Sequence, residues 1–222
     1  TEKCRVVSIL GMGGQGKTTL AAHFVQSLVE EATSPPSAFE GIIWHSLLTA
    51  PPLEDVLRDW IYQLSEQQIY TLPATLDRQL DLLMEYLTRR RFLLVLDNAE
   101  SISTAAAAGA PGSYAGYAQL WQLLLTRNHC SSLLVTSREW LPQLRNEPEA
   151  PGIYRSLLLE GLPSADGEIL LKKHGIHGNA VDFDRLQHLY SGNPLALDLA
   201  AQTIDEFFDG DTGAFLAEES PF

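Results

Sequence analysis

Gly11-Met12-Gly13-Gly14-Gln15-Gly16-Lys17-Thr18 is the stretch on which the reading of this chain turns. It fits G-x-x-x-x-G-K-[ST] at every position, and Thr19 follows. Glycines at 11, 13, 14 and 16 let the backbone wrap an anion, so that successive N–H groups, that of Gln15 among them, point inward. Gly16 leads into a helix whose unpaired amides and dipole face the same anion. Lys17 then reaches β and γ phosphates, and the Thr18 hydroxyl is placed for Mg²⁺. A tight glycine turn with a solvated lysine is the plain alternative. Against it, the motif sits between a β-branched run, Arg5–Leu10, and a helical pattern carrying Leu20, Phe24, Leu28 and the pair Ala21-Ala22.

Phe92-Leu93-Leu94-Val95-Leu96-Asp97 is the partner such a loop requires. A central apolar strand delivers one carboxylate to its C-terminal edge, where open α/β sheets bind ligands, and Asp97 is expected to share the Mg²⁺ with Thr18. A strand-end turn aspartate is the ordinary alternative. Asn98 follows, and an amide can orient water but cannot act as a general base. Glu100 is the nearby carboxylate that could take that role, or a simple loop residue. This pattern predicts slow or partner-dependent hydrolysis. Leu133–Thr136 is another apolar strand, leading through Ser137 to Arg138. If it lies beside the loop strand, Thr136 or Ser137 and Arg138 reach the γ-phosphate side, and the arginine can tell triphosphate from diphosphate.

Strands are expected at Arg5–Leu10, Phe39–Leu48 (largely buried), Phe92–Asp97, Ser132–Thr136 and Tyr154–Leu159. Between them the apolar spacing of Leu53–Leu64 and Leu76–Arg89 reads as helix, with more helix after Tyr114. Residues 101–113 are small and weakly patterned, and read as a mobile insertion. Beyond Gly161 the pattern is helical throughout: Ala165–Lys173, Asp182–Tyr190, Pro194–Phe207 and Ala214–Glu218. The boundary is therefore placed at 160, with a nucleotide-binding domain over 1–160 and a small all-helical domain over 161–222. Alternating buried strands and helices imply a parallel five-stranded sheet covered on both faces.

With 222 residues, 45% apolar and 19% charged, the chain suits one large globular domain or one and a half. Its 15 Lys and Arg against 28 Asp and Glu leave a formal charge of −13, which argues against direct nucleic-acid or anionic-membrane binding. A small anionic ligand is still open to it, held by local backbone dipoles. Cys4 and Cys130 form no CxxC pair, so a reducing, cytoplasmic setting is expected. No stretch approaches the roughly 20 apolar residues of a membrane span. His174 and His177 read as loop histidines, Arg89-Arg90-Arg91 as a solvated helix cap, and the four tryptophans as packing residues.

Five ordered segments carry a resemblance: GMGGQGKTT at 11–19, FLLVLDN at 92–98, SSLLVTSR at 131–138, LLLEGLP at 157–163 and GNPLAL at 192–197. The chain resembles the NB-ARC nucleotide-binding core of STAND signalling ATPases, which include plant resistance proteins and apoptosome-forming proteins. The run LLVLDNAES with SSLLVTSRE looks most like bacterial, cyanobacterial members with WD40 or TPR repeats. The resemblance implies an AAA+-like three-layer P-loop NTPase sandwich, an ATP/ADP switch with Mg²⁺, and self-association of a longer parent protein. By this likeness Lys17, Thr18 and Thr19 contact phosphates and metal, Asp97 is the Walker B aspartate and Arg138 the sensor arginine. Pro194, with Leu195 beside it, packs near the adenine. Asn98 departs from the second aspartate of plant and animal members. The winged-helix domain and its ADP-sensing histidine are expected in the parent chain, of which these residues read as a piece. A nonhydrolysing ADP-bound scaffold and a metabolic P-loop kinase are the alternative readings, and no acceptor pocket is nominated for the latter.

Overall fold

The computed structural model describes residues 4–31, 39–107, 115–140 and 153–218. By their contacts these divide into two units: one runs to Leu10 and from Lys17 to Leu158, the other joins Gly11–Gly16 to the residues from Leu159 onward.

The first unit is built on five parallel strands, β1 (Val6–Leu10), β2 (Gly41–Ser46), β3 (Phe92–Asp97), β4 (Ser132–Ser137) and β5 (Tyr154–Leu158), in the order β2-β3-β4-β1-β5. All six residues of β3 are buried because it lies inside the sheet between β2 and β4. Side chains alternate across the pleat. Phe92, Leu94, Leu96, Leu133 and Val135 face a core formed with α2 (Leu53–Leu64), α3 (Leu76–Arg89) and α5 (Ala115–Thr126). In α2 the buried residues are Leu53, Val56, Leu57, Trp60, Ile61 and Leu64, the three-and-four spacing of a single helical stripe. Glu54 and Asp55 sit in its first turn, where the helix dipole favours negative charge. Against the opposite face lies α1 (Lys17–Glu31). Together the two helical layers and the sheet make the three-layer P-loop sandwich.

Three sequence expectations need correction. Only Ile43 of β2 is buried, since the strand is an edge and has a neighbour on one side alone. The α1 face is incompletely covered: Ala21 is buried, whereas Leu20 and Phe24 stay 38% and 44% exposed above an apolar groove of about 400 Å³. Residues 101–107 are not an insertion but most of α4 (Glu100–Ala107), because alanine's helix propensity outweighs the weak apolar pattern. The breakers Gly109, Pro111 and Gly112 lie outside the described residues, as does Ser34–Ser37. Among the tryptophans, Trp60 and Trp121 are core residues and Trp140 is 45% exposed. Arg90 does more than cap α3, since it pairs with Glu40 at 2.9 Å and Glu66 at 2.7 Å.

The second unit packs α6 (Ser164–Lys173), α7 (Ala180–Leu189), α8 (Pro194–Phe208) and α9 (Thr212–Glu218) around Leu171, Phe183, Leu186, Leu197, Ile204 and Phe215. Asn179 caps α7 by accepting from the Asp182 N–H, which starts that helix two residues earlier than the apolar pattern suggests. Asp209, in the left-handed conformation at φ 49°, ends α8.

Candidate functional site

β4 lies between β3 and β1, so the condition set by the sequence is met: the strand carrying Thr136, Ser137 and Arg138 runs beside the strand that leads into the glycine loop. Parallel register places Leu10 opposite Ser137 and Leu96 opposite Val135. Asp97, Arg138 and the start of the loop therefore all stand at the C-terminal ends of their strands.

Within the sheet unit, Asp97 is 4% exposed and surrounded by donors. Its Oδ1 accepts from the Thr18 hydroxyl at 2.8 Å and from the Thr136 hydroxyl, and its Oδ2 accepts from Asn98 Nδ2 at 3.1 Å. Thr18 comes from the first turn of α1, so this contact joins the two motifs that the sequence reading paired. Thr136 was read only as a residue on the phosphate side. In the structure it fixes Asp97, and its Oγ1 also accepts from the Asn98 N–H at 3.0 Å. A threonine in an otherwise apolar strand was the available signal.

Asn98 occupies the left-handed region at φ 62°, which asparagine tolerates better than most residues. Its amide is committed to Asp97. Replacing Asn98 with Asp turns that donor into a second carboxylate 3.1 Å from the first. The expected result is a loss of about 1–3 kcal/mol at pH 7, from the lost hydrogen bond and the new repulsion. Urea denaturation at pH 7 checks this; an unchanged midpoint would contradict it.

Glu100 and Arg138 are brought together. Arg138 Nε lies 3.1 Å from Glu100 Oε1, and the Arg138 N–H donates to Glu100 Oε2 at 3.2 Å. Lys17 is only 7% exposed. Burial holds its amine below the ordinary lysine range, Glu100 and Asp97 pull it back up, and Arg138 pushes it further down. Two cations and two carboxylates thus share one small region. Thr19 is exposed on α1.

The glycine loop belongs to the second unit. Gly14 and Gly16 adopt φ of 79° and 83°, a conformation that a side chain disfavours. The Gln15 side chain folds back so that its Oε1 accepts from the Met12 N–H at 2.6 Å, beside Gly11. Pro194 stands at the first position of α8, where its missing N–H is not needed. Leu195 N lies 3.3 Å from the Gly14 carbonyl. Asn193, which the sequence offered only as part of the GNPLAL segment, donates from Nδ2 to the Gly13 carbonyl at 2.8 Å.

A family model described as the NB-ARC domain matches residues 1–113, just over half of the chain. The chain belongs to the NB-ARC family. This NB-ARC domain is 40% identical to an uncharacterized WD repeat-containing protein of a Nostoc species, over 97% of the chain and 17% of that protein. It is 36% identical to a disease resistance protein of Arabidopsis thaliana, over 42% of the chain and 10% of that protein. The chain thus spans less than a fifth of the length of these curated relatives. In fold it is similar to a signal transduction ATPase with numerous domains, carrying a tetratricopeptide repeat sensor, from Pyrococcus horikoshii. The TM-score is 0.57 at 17% identity, over 87% of this chain and 27% of that one. The NB-ARC domain accordingly shares the P-loop α/β fold, a parallel five-stranded sheet followed by helices. No helix among the described residues is long and apolar enough to cross a membrane.

Proposed function

We propose that this NB-ARC domain binds ATP and ADP at Gly11–Thr19 together with Mg²⁺, and that slow hydrolysis between the two states switches the arrangement of a longer signalling protein. The carrying observation is the 2.8 Å contact between the Thr18 hydroxyl and the Asp97 carboxylate, which joins the first turn of α1 to the end of β3. These oxygen donors fit a hard divalent cation. Among the described residues no three His, Cys, Asp or Glu side chains cluster as a metal cage, so phosphate oxygens and water would complete the shell. Bound Mg²⁺ supplies charge neutralisation for the phosphates.

The chain's own residues divide the work. Backbone amides of Gly11, Gly13, Gly14, Gln15 and Gly16 hold phosphate oxygens, and the Lys17 amine meets the negative charge of the β and γ phosphates. Thr18 and Asp97 hold the cation, with Thr19 beside them. Arg138 reads the γ-phosphate once it exchanges its Glu100 partner for the nucleotide. Pro194 and Leu195 stand at the start of α8, where the family likeness puts the adenine contact. Hydrolysis is slow because Asn98 is an amide that cannot act as a base and already donates to Asp97, which leaves the role to Glu100, a carboxylate placed against Arg138. Similarity to the Nostoc protein supports a WD repeat parent of bacterial type, in which the switch governs self-association inside the cell.

Calorimetry with Mg-ADP and Mg-ATP tests the binding, and single-turnover assays test the chemistry. Micromolar binding is expected for both nucleotides. The expected cleavage rate is below about 0.01 per second, two orders under the slow end of ordinary enzymes. Mg-ADP at 100 times its Kd should add about 2.7 kcal/mol of stability. Intact ATP after a day would favour the nonhydrolysing scaffold instead, and absence of binding to folded protein would remove the reading altogether.

A further inference from the structure

Asn193 is held at the junction of α7 and α8 by three backbone contacts around it. Its own N–H donates to the Tyr190 carbonyl at 2.9 Å, the Gly192 N–H to the Gln187 carbonyl at 2.9 Å, and the Leu162 N–H to the Gly192 carbonyl at 2.7 Å. From that fixed base the carboxamide works in two directions. Its Oδ1 accepts from the Leu195 and Ala196 N–H groups at 3.1 and 3.2 Å, capping α8. Its Nδ2 donates to the Gly13 carbonyl at 2.8 Å. Serine, threonine and aspartate cap helices too, but only an amide offers an acceptor and a donor on opposite sides of one short planar group.

In a trans peptide the C=O and N–H lie in one plane and point in opposite directions. Drawing the Gly13 carbonyl toward Asn193 therefore turns the Gly14 N–H away from α8. The Gly14 carbonyl is drawn the same way, toward the Leu195 N–H. Contact is close: a Cβ on Gly14 would lie 2.7 Å from Leu195 Cβ and 2.8 Å from Asn193 Oδ1. Hence Gly14 is glycine for α8 as well as for its positive φ.

We propose that Asn193 is a positioning residue for phosphate binding, its carboxamide setting the Gly13–Gly14 peptide so that the Gly14 N–H is presented to the anion. This inference rests on the nucleotide-binding reading above and adds a residue that acts through the loop backbone and touches no ligand itself.

The test compares the 222-residue chain with Asn193→Ser, which keeps a neutral cap acceptor but is too short to donate to Gly13. Mg-ADP and inorganic pyrophosphate are titrated into both. Wild type binds each. Asn193→Ser is expected to bind each about five- to tenfold more weakly, the worth of one hydrogen bond, with the melting temperature of the nucleotide-free protein unchanged within about 2 °C. Asn193→Asp, which caps as well as asparagine and reverses the donor to an acceptor, repeats the test in a second background and should lose at least tenfold. Wild-type affinity in both variants overturns the inference and leaves the nucleotide reading intact. So does a loss confined to ADP with pyrophosphate unaffected, since the effect would then lie at the base. A wild-type chain that binds neither ligand removes the nucleotide reading and this inference with it.

Discussion

Replacing Lys17 with alanine will cost the NB-ARC domain at least a hundredfold in nucleotide affinity while leaving its fold standing. Lys17 is 7% exposed as a residue, and burial is the first cause of its lowered pKa. A buried cation carries a desolvation cost that a polyphosphate offsets directly. Each charge-assisted hydrogen bond to a phosphate oxygen is worth about 1.5–3 kcal/mol, so losing two of them accounts for the expected factor. Calorimetry with Mg-ADP and Mg-ATP reads the loss, beside circular dichroism that shows the variant folded. Micromolar binding by Lys17→Ala would show that the loop does not work as proposed.

Asp97→Ala should be the most damaging substitution for stability within the site. Three donors converge on that carboxylate, from Thr18, Thr136 and Asn98, and Thr136 is fully buried. Alanine leaves all three without their acceptor. Unmade hydrogen bonds of buried groups cost about 1–3 kcal/mol each, and because the three share one partner the sum is not additive. A loss of about 3–4 kcal/mol is expected in urea denaturation. A second readout separates architecture from chemistry: ADP affinity of the wild type should fall when Mg²⁺ is replaced by EDTA, and that of Asp97→Ala should not. A stability change under about 0.5 kcal/mol, or an undiminished response to EDTA, would contradict the role given to this carboxylate.

Much of this architecture is written locally. The octapeptide at 11–18, the apolar run before Asp97 and the helical spacing of Leu53–Leu64 are each readable within a dozen residues, because glycine freedom, burial and the 3.6-residue repeat act at that range. Strand order is not. Nothing near Phe39–Leu48 says that β2 will be an edge, and so its apolar residues read as buried when only Ile43 is. The same limit hid Thr136: its hydroxyl acquires a role only when β4 lies beside β3 and sets it against Asp97. Asn193 was visible within GNPLAL, but the Gly13 carbonyl it binds lies 180 residues away in sequence. At 101–107 the error was one of weighting, in which glycine and proline beyond residue 107 masked the helix-forming strength of the alanines before them.

The grouping of Gly11–Gly16 with the residues after Leu159 bears on how such domains are cut and recombined. A fragment that stops with the last strand keeps every letter of the octapeptide and loses the mould in which it is cast. Swapping the helical segment between relatives would in the same way exchange the residues packed around the glycine loop, even though the signature read from the gene stayed the same.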